Sequence, residues 1–156
     1  MMRTMLLISA ALGAGGAAAA PERIVYETGP CFGFCPTYRV TVDANGQGLF
    51  EGQRFTVVKG RRRFHLSPAQ FAAFRDRLKP DRPVGFRRLS DDACRSMATD
   101  QITVTIRWSG GRQPPAQFSA YFGCDMDRNA ALFRRLATAP QLLPIAAFIG
   151  DPRHPR

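Results

Sequence analysis

The chain has 156 residues, a formal net charge of +10 at pH 7 and 45% hydrophobic residues. That length fits one domain, and such a chain buries roughly two-thirds of its unfolded surface, so folding does not require a partner. Almost all of the positive charge is Arg, which favours planar phosphate or carboxylate partners, although surface charge also maintains solubility.

The N-terminal segment has the pattern of an export signal. Arg3 is its one charge, and an uncharged run rich in Leu, Ile, Ala and Gly follows from Met5 to Ala20. This pattern predicts a cleavable signal peptide over residues 1–20. The run is too short and too rich in Gly and Ala for a comfortable membrane span, and a retained anchor is the alternative. We therefore expect a periplasmic or secreted protein with no stable membrane span after cleavage, a single α+β domain over 21–150 and a disordered tail over 151–156.

The first half of the mature chain predicts a strand followed by two β-hairpins. Residues Thr37 to Asp43 alternate between apolar and polar side chains, as a half-buried strand does. Asn45-Gly46 then supplies a tight turn, and Lys59-Gly60 suggests a second one. The predicted strands cover residues 23–27, 37–43, 47–52, 55–58 and 62–66.

A helix follows with a well-marked beginning. Ser67 is a good N-cap, Pro68 suits the first helical position, and Gln70 completes a capping box. The apolar stripe of this helix consists of Phe71, Phe74 and Leu78.

The second half predicts a loop, a hairpin and a second helix. Residues 81–100 resemble a loop, and residues 102–108 alternate clearly before Gly110-Gly111 turns the chain into a strand over 117–122. Asp125 or Asp127 can cap the second helix. Its predicted apolar side consists of Leu132, Phe133 and Leu136, and a short apolar tail over 142–149 can add a last helical turn or two.

The order of these elements predicts the fold class. Consecutive hairpins favour antiparallel pairing, because parallel strands need a crossover between them. One face of the sheet is polar and the other apolar, so the two helices should cover the apolar face. We expect an α+β fold in which an antiparallel sheet of hairpins carries two helices on one face, as a two-layer sandwich.

The segment from Gly29 to Tyr38 is the most unusual part of the sequence. It places Cys31, Gly33, Cys35, Pro36 and Tyr38 in a Cys-x-Gly-x-Cys-Pro-x-Tyr pattern before a predicted hairpin. This pattern resembles the bacterial domain of unknown function 6438 family. The resemblance runs from about residue 24 to 78 and continues more faintly into the strand that begins near Ile102. It implies a small exported α+β domain and carries over no assigned activity.

Four Cys residues follow the predicted signal, and an even number in an oxidising compartment predicts two disulfides. A Cys31–Cys35 bond can close a tight loop, in which Gly33 would take a positive φ. We favour this pairing, which leaves Cys94–Cys124 to tie the long loop to the second helix. A long-range pairing of Cys31 or Cys35 with Cys94 or Cys124 stays open.

The same cysteines raise redox and metal hypotheses. Redox enzymes usually place Cys-x-x-Cys at a helix N-terminus, whereas the spacing from Cys31 to Cys35 is longer and a strand follows. A structural disulfide is therefore favoured, with a thiol–disulfide redox protein as the alternative. A metal site would need three or four ligands, and the four Cys with His65 offer no suitable spacing. We expect neither a metal nor a cofactor.

The sequence contains no recognisable catalytic motif. His65 lies in an alternating strand opposite Phe64 and Leu66, so we expect it on the solvent side. The chain has no Gly-x-Ser-x-Gly elbow and no phosphate-binding glycine motif. We predict no catalytic residue and regard an enzyme as the less favoured class.

The best candidate binding surface is a basic cluster formed by Lys59, Arg61, Arg62 and Arg63. Arg39, Arg54 and Arg107 can add to it on the polar sheet face. The competing interpretation is a solvated edge whose charges prevent strand aggregation. Export argues against nucleic acid as the partner. We therefore expect a non-catalytic binding module for an anionic envelope lipid, glycan or protein.

Overall fold

The structure is a computed structural model that describes residues 19–150. The predicted signal peptide, apart from Ala19 and Ala20, and the predicted tail lie outside the described residues. Within them the chain forms one mixed sheet of seven strands together with three α-helices, which is an α+β fold. The strands are β1 (Arg23–Thr28), β2 (Thr37–Asp43), β3 (Gln47–Arg54), β4 (Gly60–His65), β5 (Phe86–Leu89), β6 (Thr103–Ser109) and β7 (Ala116–Tyr121). The helices are α1 (Pro68–Leu78), α2 (Ala130–Thr138) and α3 (Ala146–Ile149).

The sheet has the strand order β4-β3-β2-β1-β6-β7-β5. The central strand β1 pairs antiparallel with β2 on one side and with β6 on the other. The β1–β6 pairing joins the two halves of the chain, which are far apart in sequence. All pairings except one are antiparallel, as the hairpin pattern predicts.

The exception is β5, which pairs parallel with β7 and lies in the segment predicted to be a loop. This expectation was wrong. The strand has four residues, of which Leu89 alone is buried, so it shows no alternating pattern. Gly85, at φ +70°, precedes it and accepts a backbone hydrogen bond from Gln117.

The second predicted hairpin also needs a correction. Strand β3 continues to Arg54 and pairs directly with β4, so residues 55–58 form the connecting loop and not a strand. Phe55 takes a left-handed φ of 54°, which ends the extended run. The hydroxyl of Thr56 then donates to the carbonyl of Val58 at 2.8 Å and closes the loop.

Helix α1 begins as predicted. The Ser67 hydroxyl accepts the backbone N–H of Gln70, and the Gln70 side chain accepts the backbone N–H of Ser67. This is the complete capping box. The predicted stripe of Phe71, Phe74 and Leu78 is buried.

Helix α2 does not use the predicted cap. It begins at Ala130, and its N-cap residue Asn129 makes no side-chain cap. Asp125 instead accepts hydrogen bonds from the backbone N–H groups of Arg95 and Ser96. The Cys94–Cys124 disulfide holds these two segments together and so draws the carboxylate away from the helix.

A single hydrophobic cluster connects the sheet and the helices, and Tyr26 of β1 is fully buried within it. The Tyr26 ring contacts Phe74 of α1, and its hydroxyl donates to the Leu136 carbonyl of α2 at 3.1 Å. Pro140, four positions later, has no N–H to donate to this carbonyl, which accepts the N–H of Ala139 and the Tyr26 hydroxyl instead. Burial, together with the neighbouring Tyr38, raises the pKa of Tyr26 and keeps this donor protonated.

Replacing Tyr26 by Phe therefore removes one buried hydrogen bond and should lower the free energy of unfolding by about 1 kcal/mol. The matched control is Tyr38→Phe, since the Tyr38 ring is also buried but its hydroxyl donates to no group within residues 19–150. We expect that variant to change stability by less than about 0.5 kcal/mol. Urea unfolding measures both, and equal losses would contradict the role assigned to the Tyr26 hydroxyl.

Candidate functional site

Two disulfides stabilise the loops around the sheet. Cys31 bonds to Cys35 with a Cα–Cα distance of 5.8 Å, and Cys94 bonds to Cys124 at 5.3 Å. This is the pairing that the sequence favours. Gly33 has a φ of +131°, as the tight loop requires. Two disulfides are typical of proteins in an oxidising, extracellular environment.

The small disulfide loop presents large apolar side chains to solvent. Phe32 is 88% exposed and Phe34 is 66% exposed. Phe34 packs edge-on against Phe55 of the β3–β4 loop, with 5.3 Å between ring centroids, and Val57 of that loop is 52% exposed. We call Phe32, Phe34, Phe55 and Val57 the aromatic tip.

Strand pairing explains why the two loops meet. The first residue of β2, Thr37, pairs with the last residue of β3, Arg54. The loop before β2 and the loop after β3 therefore leave the same end of the sheet. The Thr28 hydroxyl donates to the Pro36 carbonyl at 2.8 Å and accepts the Tyr38 N–H at 3.1 Å, which fixes the disulfide loop to β1.

The predicted basic cluster is placed along β4 and the loop before it. Lys59 lies in the loop, and Arg61, Arg62 and Arg63 are exposed on β4, which is an edge strand. Successive strand residues point to opposite faces, so Arg62 projects to the side of buried Phe64 and its two neighbours project to the other. The cluster therefore wraps the sheet edge and does not form one flat patch.

Ion pairing distinguishes the members of this cluster. Arg61 donates to the Glu51 carboxylate at 3.0 Å. Within the described part of the chain, Lys59, Arg62 and Arg63 form no ion pair with an acidic side chain. These three cations are the ones whose charge is not already balanced locally.

The polar face of the sheet carries an ordered row of charges. Residues Arg61, Glu51, Arg39 and Glu27 stand directly opposite one another across β4, β3, β2 and β1. Arg39 lies 3.0 Å from Glu27 and 3.9 Å from Glu51, and Arg107 also reaches Glu27 at 3.3 Å. Of the three Arg residues that the sequence adds to a binding surface, Arg39 and Arg107 are therefore paired with acids, whereas Arg54 stacks over the Phe55 ring.

This arrangement of charges shifts the pKa of the Glu27 carboxylate. Burial raises its pKa, but hydrogen bonds and attraction from Arg39 and Arg107 outweigh burial, so the pKa of Glu27 lies below its ordinary value. The same contact raises the pKa of Arg39.

An apolar groove of about 400 Å³ opens at the same end of the sheet as the aromatic tip. Three residues of the Cys-Pro-x-Tyr segment, Cys35, Pro36 and Tyr38, line one side of it. Pro140 and Ile149 line the opposite side. Burial raises the pKa of Tyr38, so this hydroxyl stays neutral.

A second cationic surface lies at the other end of the sheet. It is a pocket of about 310 Å³ beside the β6–β7 turn, and Lys79 and Arg112 line it. Its other two cations already have partners, because Arg75 contacts Asp76 at 2.9 Å and Arg82 lies 3.5 Å from an acid, Glu22. The Arg82 guanidinium also stands 5.8 Å from the centroid of the Trp108 ring.

Within residues 19–150, no group of three or more His, Cys, Asp or Glu side chains is arranged to hold a metal ion. His65 is exposed near the end of β4, on the solvent side as predicted. In the same range, no helix combines the length and apolar character needed to cross a membrane.

The aromatic tip is the feature that the sequence interpretation missed. A signal for it was present, because a five-residue ring closed by Cys31 and Cys35 has no interior in which Phe32 and Phe34 could be buried. The exposure of Val57 could not be inferred, since residues 55–58 resemble a strand in sequence.

The fold, the two disulfides and the exposed tip define a small disulfide-stabilised α+β domain. Residues 22–137 match the family described as "Domain of unknown function (DUF6438)". The chain belongs to this family, in agreement with the resemblance of its Cys31–Tyr38 segment. No curated protein and no solved structure matches the chain.

The charge row gives a pH-dependent prediction. Because the folded pKa of Glu27 is lowered, its stabilisation is fully present above the unfolded pKa and is lost as pH falls through the folded value. We expect Glu27→Gln to be less stable than the wild type at pH 7, by less than about 1 kcal/mol for this partly exposed group. Urea unfolding from pH 7 to pH 3 should show this difference shrinking, and a constant difference would contradict the account.

Proposed function

We propose that this protein is an exported, non-catalytic binding module for an anionic component of the cell envelope. The observation that carries the proposal is the set of three cations, Lys59, Arg62 and Arg63, that have no acidic partner within the described residues. Cations without an acidic partner, on an edge strand and in the loop before it, attract phosphate or carboxylate groups.

The proposed location rests on two observations. Residues 1–20 have the composition of a signal peptide. Two disulfides suit a periplasmic or extracellular compartment. Cytosolic nucleic acid would not meet a protein exported in this way.

The proposed architecture leaves the binding edge open. We infer that α1 and α2 form one layer over the apolar face, because Phe74 and Leu136 both contact Tyr26 from that side. The arrangement is then a two-layer sandwich, and β4 keeps its outer edge free for a ligand. The competing role for these charges is protection of that edge against pairing with another strand.

Binding to soluble polyphosphate and to phosphatidylglycerol vesicles tests this function. Two cations near an anionic surface contribute about 1 kcal/mol each, so Arg62→Ser with Arg63→Ser should weaken binding about tenfold or more. Binding should also weaken as salt is raised.

The matched control is Arg87→Ser with Arg88→Ser, which removes the same charge from β5 at the opposite edge of the sheet. We expect a loss of about threefold or less from this pair. Equal losses from both pairs would show attraction by net charge alone, and no binding to either probe would contradict the proposal.

The intact mass of the protein purified from the envelope reports whether the predicted signal has been removed.

A thiol–disulfide redox protein is the second candidate. The observation in its favour is that Cys31 and Cys35 are partly exposed, whereas Cys124 is fully buried. In this role a substrate dithiol would pass two electrons and two protons to the Cys31–Cys35 bond and leave as a disulfide. Against it, β2 and not a helix follows Cys35, so no helix dipole lowers the pKa of a thiol there.

Reduction with limiting dithiothreitol, followed by alkylation and peptide mass spectrometry, separates the two candidates. The binding module predicts that both disulfides resist mild reductant. Selective, rapid reduction of Cys31–Cys35, with oxidation of a dithiol substrate that is lost in Cys31→Ser, would favour the redox protein.

A further inference from the structure

The aromatic tip places apolar side chains in water without a partner in the described structure. Its most exposed members, Phe32 and Phe34, project from a five-residue disulfide loop. Exposed Phe residues scattered singly are common, but this tip groups four apolar side chains from two adjacent loops. Such a group is typical of a docking surface.

The tip is held in place by its attachments to the sheet. The Cys31–Cys35 bond closes one loop, and the Thr28 hydroxyl ties that loop to β1. The other loop is fixed to α3, because the N–H groups of Val57 and Val58 donate to the carbonyls of Ile149 and Phe148 at 3.1 and 3.0 Å. A rigid tip has little conformational entropy to lose when it docks.

Cations lie beside the tip on the β3–β4 side. Arg54 stacks over the Phe55 ring at 5.2 Å, and Lys59 belongs to the same loop. Strand β4 begins at the tip end of the sheet, since its first residue pairs with Gly52, so Arg62 lies within about 10 Å along the strand. One acid, Asp100, also borders the small loop, because its backbone carbonyl accepts the Phe32 N–H at 3.3 Å, and its carboxylate accepts from its neighbour Thr99.

We propose that the aromatic tip inserts into the interface of an anionic lipid layer while Arg54, Lys59 and Arg62 contact lipid phosphates. This inference rests on the proposed function and names its ligand class. Apolar side chains at the point and cations set back from it match the order of acyl chains and phosphate groups in a lipid surface. The alternative ligand is a protein with an apolar pocket and an acidic rim, and the test must distinguish it from a lipid surface.

Co-sedimentation with vesicles of phosphatidylcholine and phosphatidylglycerol tests the insertion. We expect Phe32→Ser with Phe34→Ser to lower binding to anionic vesicles about tenfold or more, because two apolar side chains no longer leave water. The fold should survive, since both side chains are mostly exposed in the free protein. Circular dichroism and urea unfolding check this point.

The matched control is Val84→Ser with Phe86→Ser. These side chains are 103% and 65% exposed beside the opposite edge of the sheet. The two substitutions remove a comparable apolar surface at a site away from the tip. We expect vesicle binding of this variant to stay within about twofold of the wild type.

Insertion depth has its own reporter. A Phe32→Trp variant should be quenched by lipids brominated on the acyl chain, whereas the native Trp108 is 2% exposed near the other end of β6 and should not respond. The wild-type protein supplies the Trp108 background.

Each outcome has a separate meaning. Loss in the tip variant together with acyl-chain quenching supports insertion. Salt-sensitive vesicle binding without either effect overturns insertion but leaves the anionic binding function standing. Binding to polyphosphate without binding to vesicles also overturns insertion, and binding to neither probe overturns both proposals. Tip-dependent binding to vesicles of neutral lipid alone, unaffected by Arg62→Ser, would contradict the part assigned to the cations.

Discussion

The pairing of β1 with both β2 and β6 is the constraint on which the rest of the structure depends. It joins an N-terminal unit of three antiparallel strands, β2 to β4, to a C-terminal unit that contains β6 and β7. Tyr26 of this strand also bridges to both long helices, through its ring to Phe74 and through its hydroxyl to Leu136. On the opposite face Glu27 collects Arg39 and Arg107 from the two neighbouring strands. One strand therefore organises the core, the helices and the charge row.

The same pairing determines which surfaces are available for binding. On the polar face Glu27 and Glu51 pair with Arg39, Arg61 and Arg107, whereas Arg62 and Arg63 at the β4 edge have no acidic partner within residues 19–150. The strand register also brings the Cys31–Cys35 loop beside the β3–β4 loop at one end of the sheet. Apolar side chains and unbalanced cations thus meet at one corner of the domain. A pair of loops that leave the sheet at different ends could not produce this corner.

Local chemistry explains what the sequence could predict. The capping box of Ser67 and Gln70, the alternation over β2 and the tight Cys31–Cys35 loop each depend on residues within a few positions of one another. The error at residues 55–58 is local, since Phe55 takes a left-handed φ of 54°, but the other errors concern long-range contacts. Strand β5 exists because it pairs with β7. Asp125 accepts the Ser96 N–H and does not cap the helix as predicted, because a disulfide holds the two segments together. The exposed tip likewise arises from two loops that only the folded sheet makes neighbours.

Amide hydrogen exchange of the intact protein, with and without phosphatidylglycerol vesicles, tests the central claim most directly, because it maps the contact surface without any substitution. The account predicts added protection in residues 29–36 and 54–60, with little change at the Gly110-Gly111 turn or along β5 at the opposite edge. Protection centred on the cationic pocket of Lys79 and Arg112, or spread evenly over the surface, would contradict the claim that this corner of the domain is the binding site.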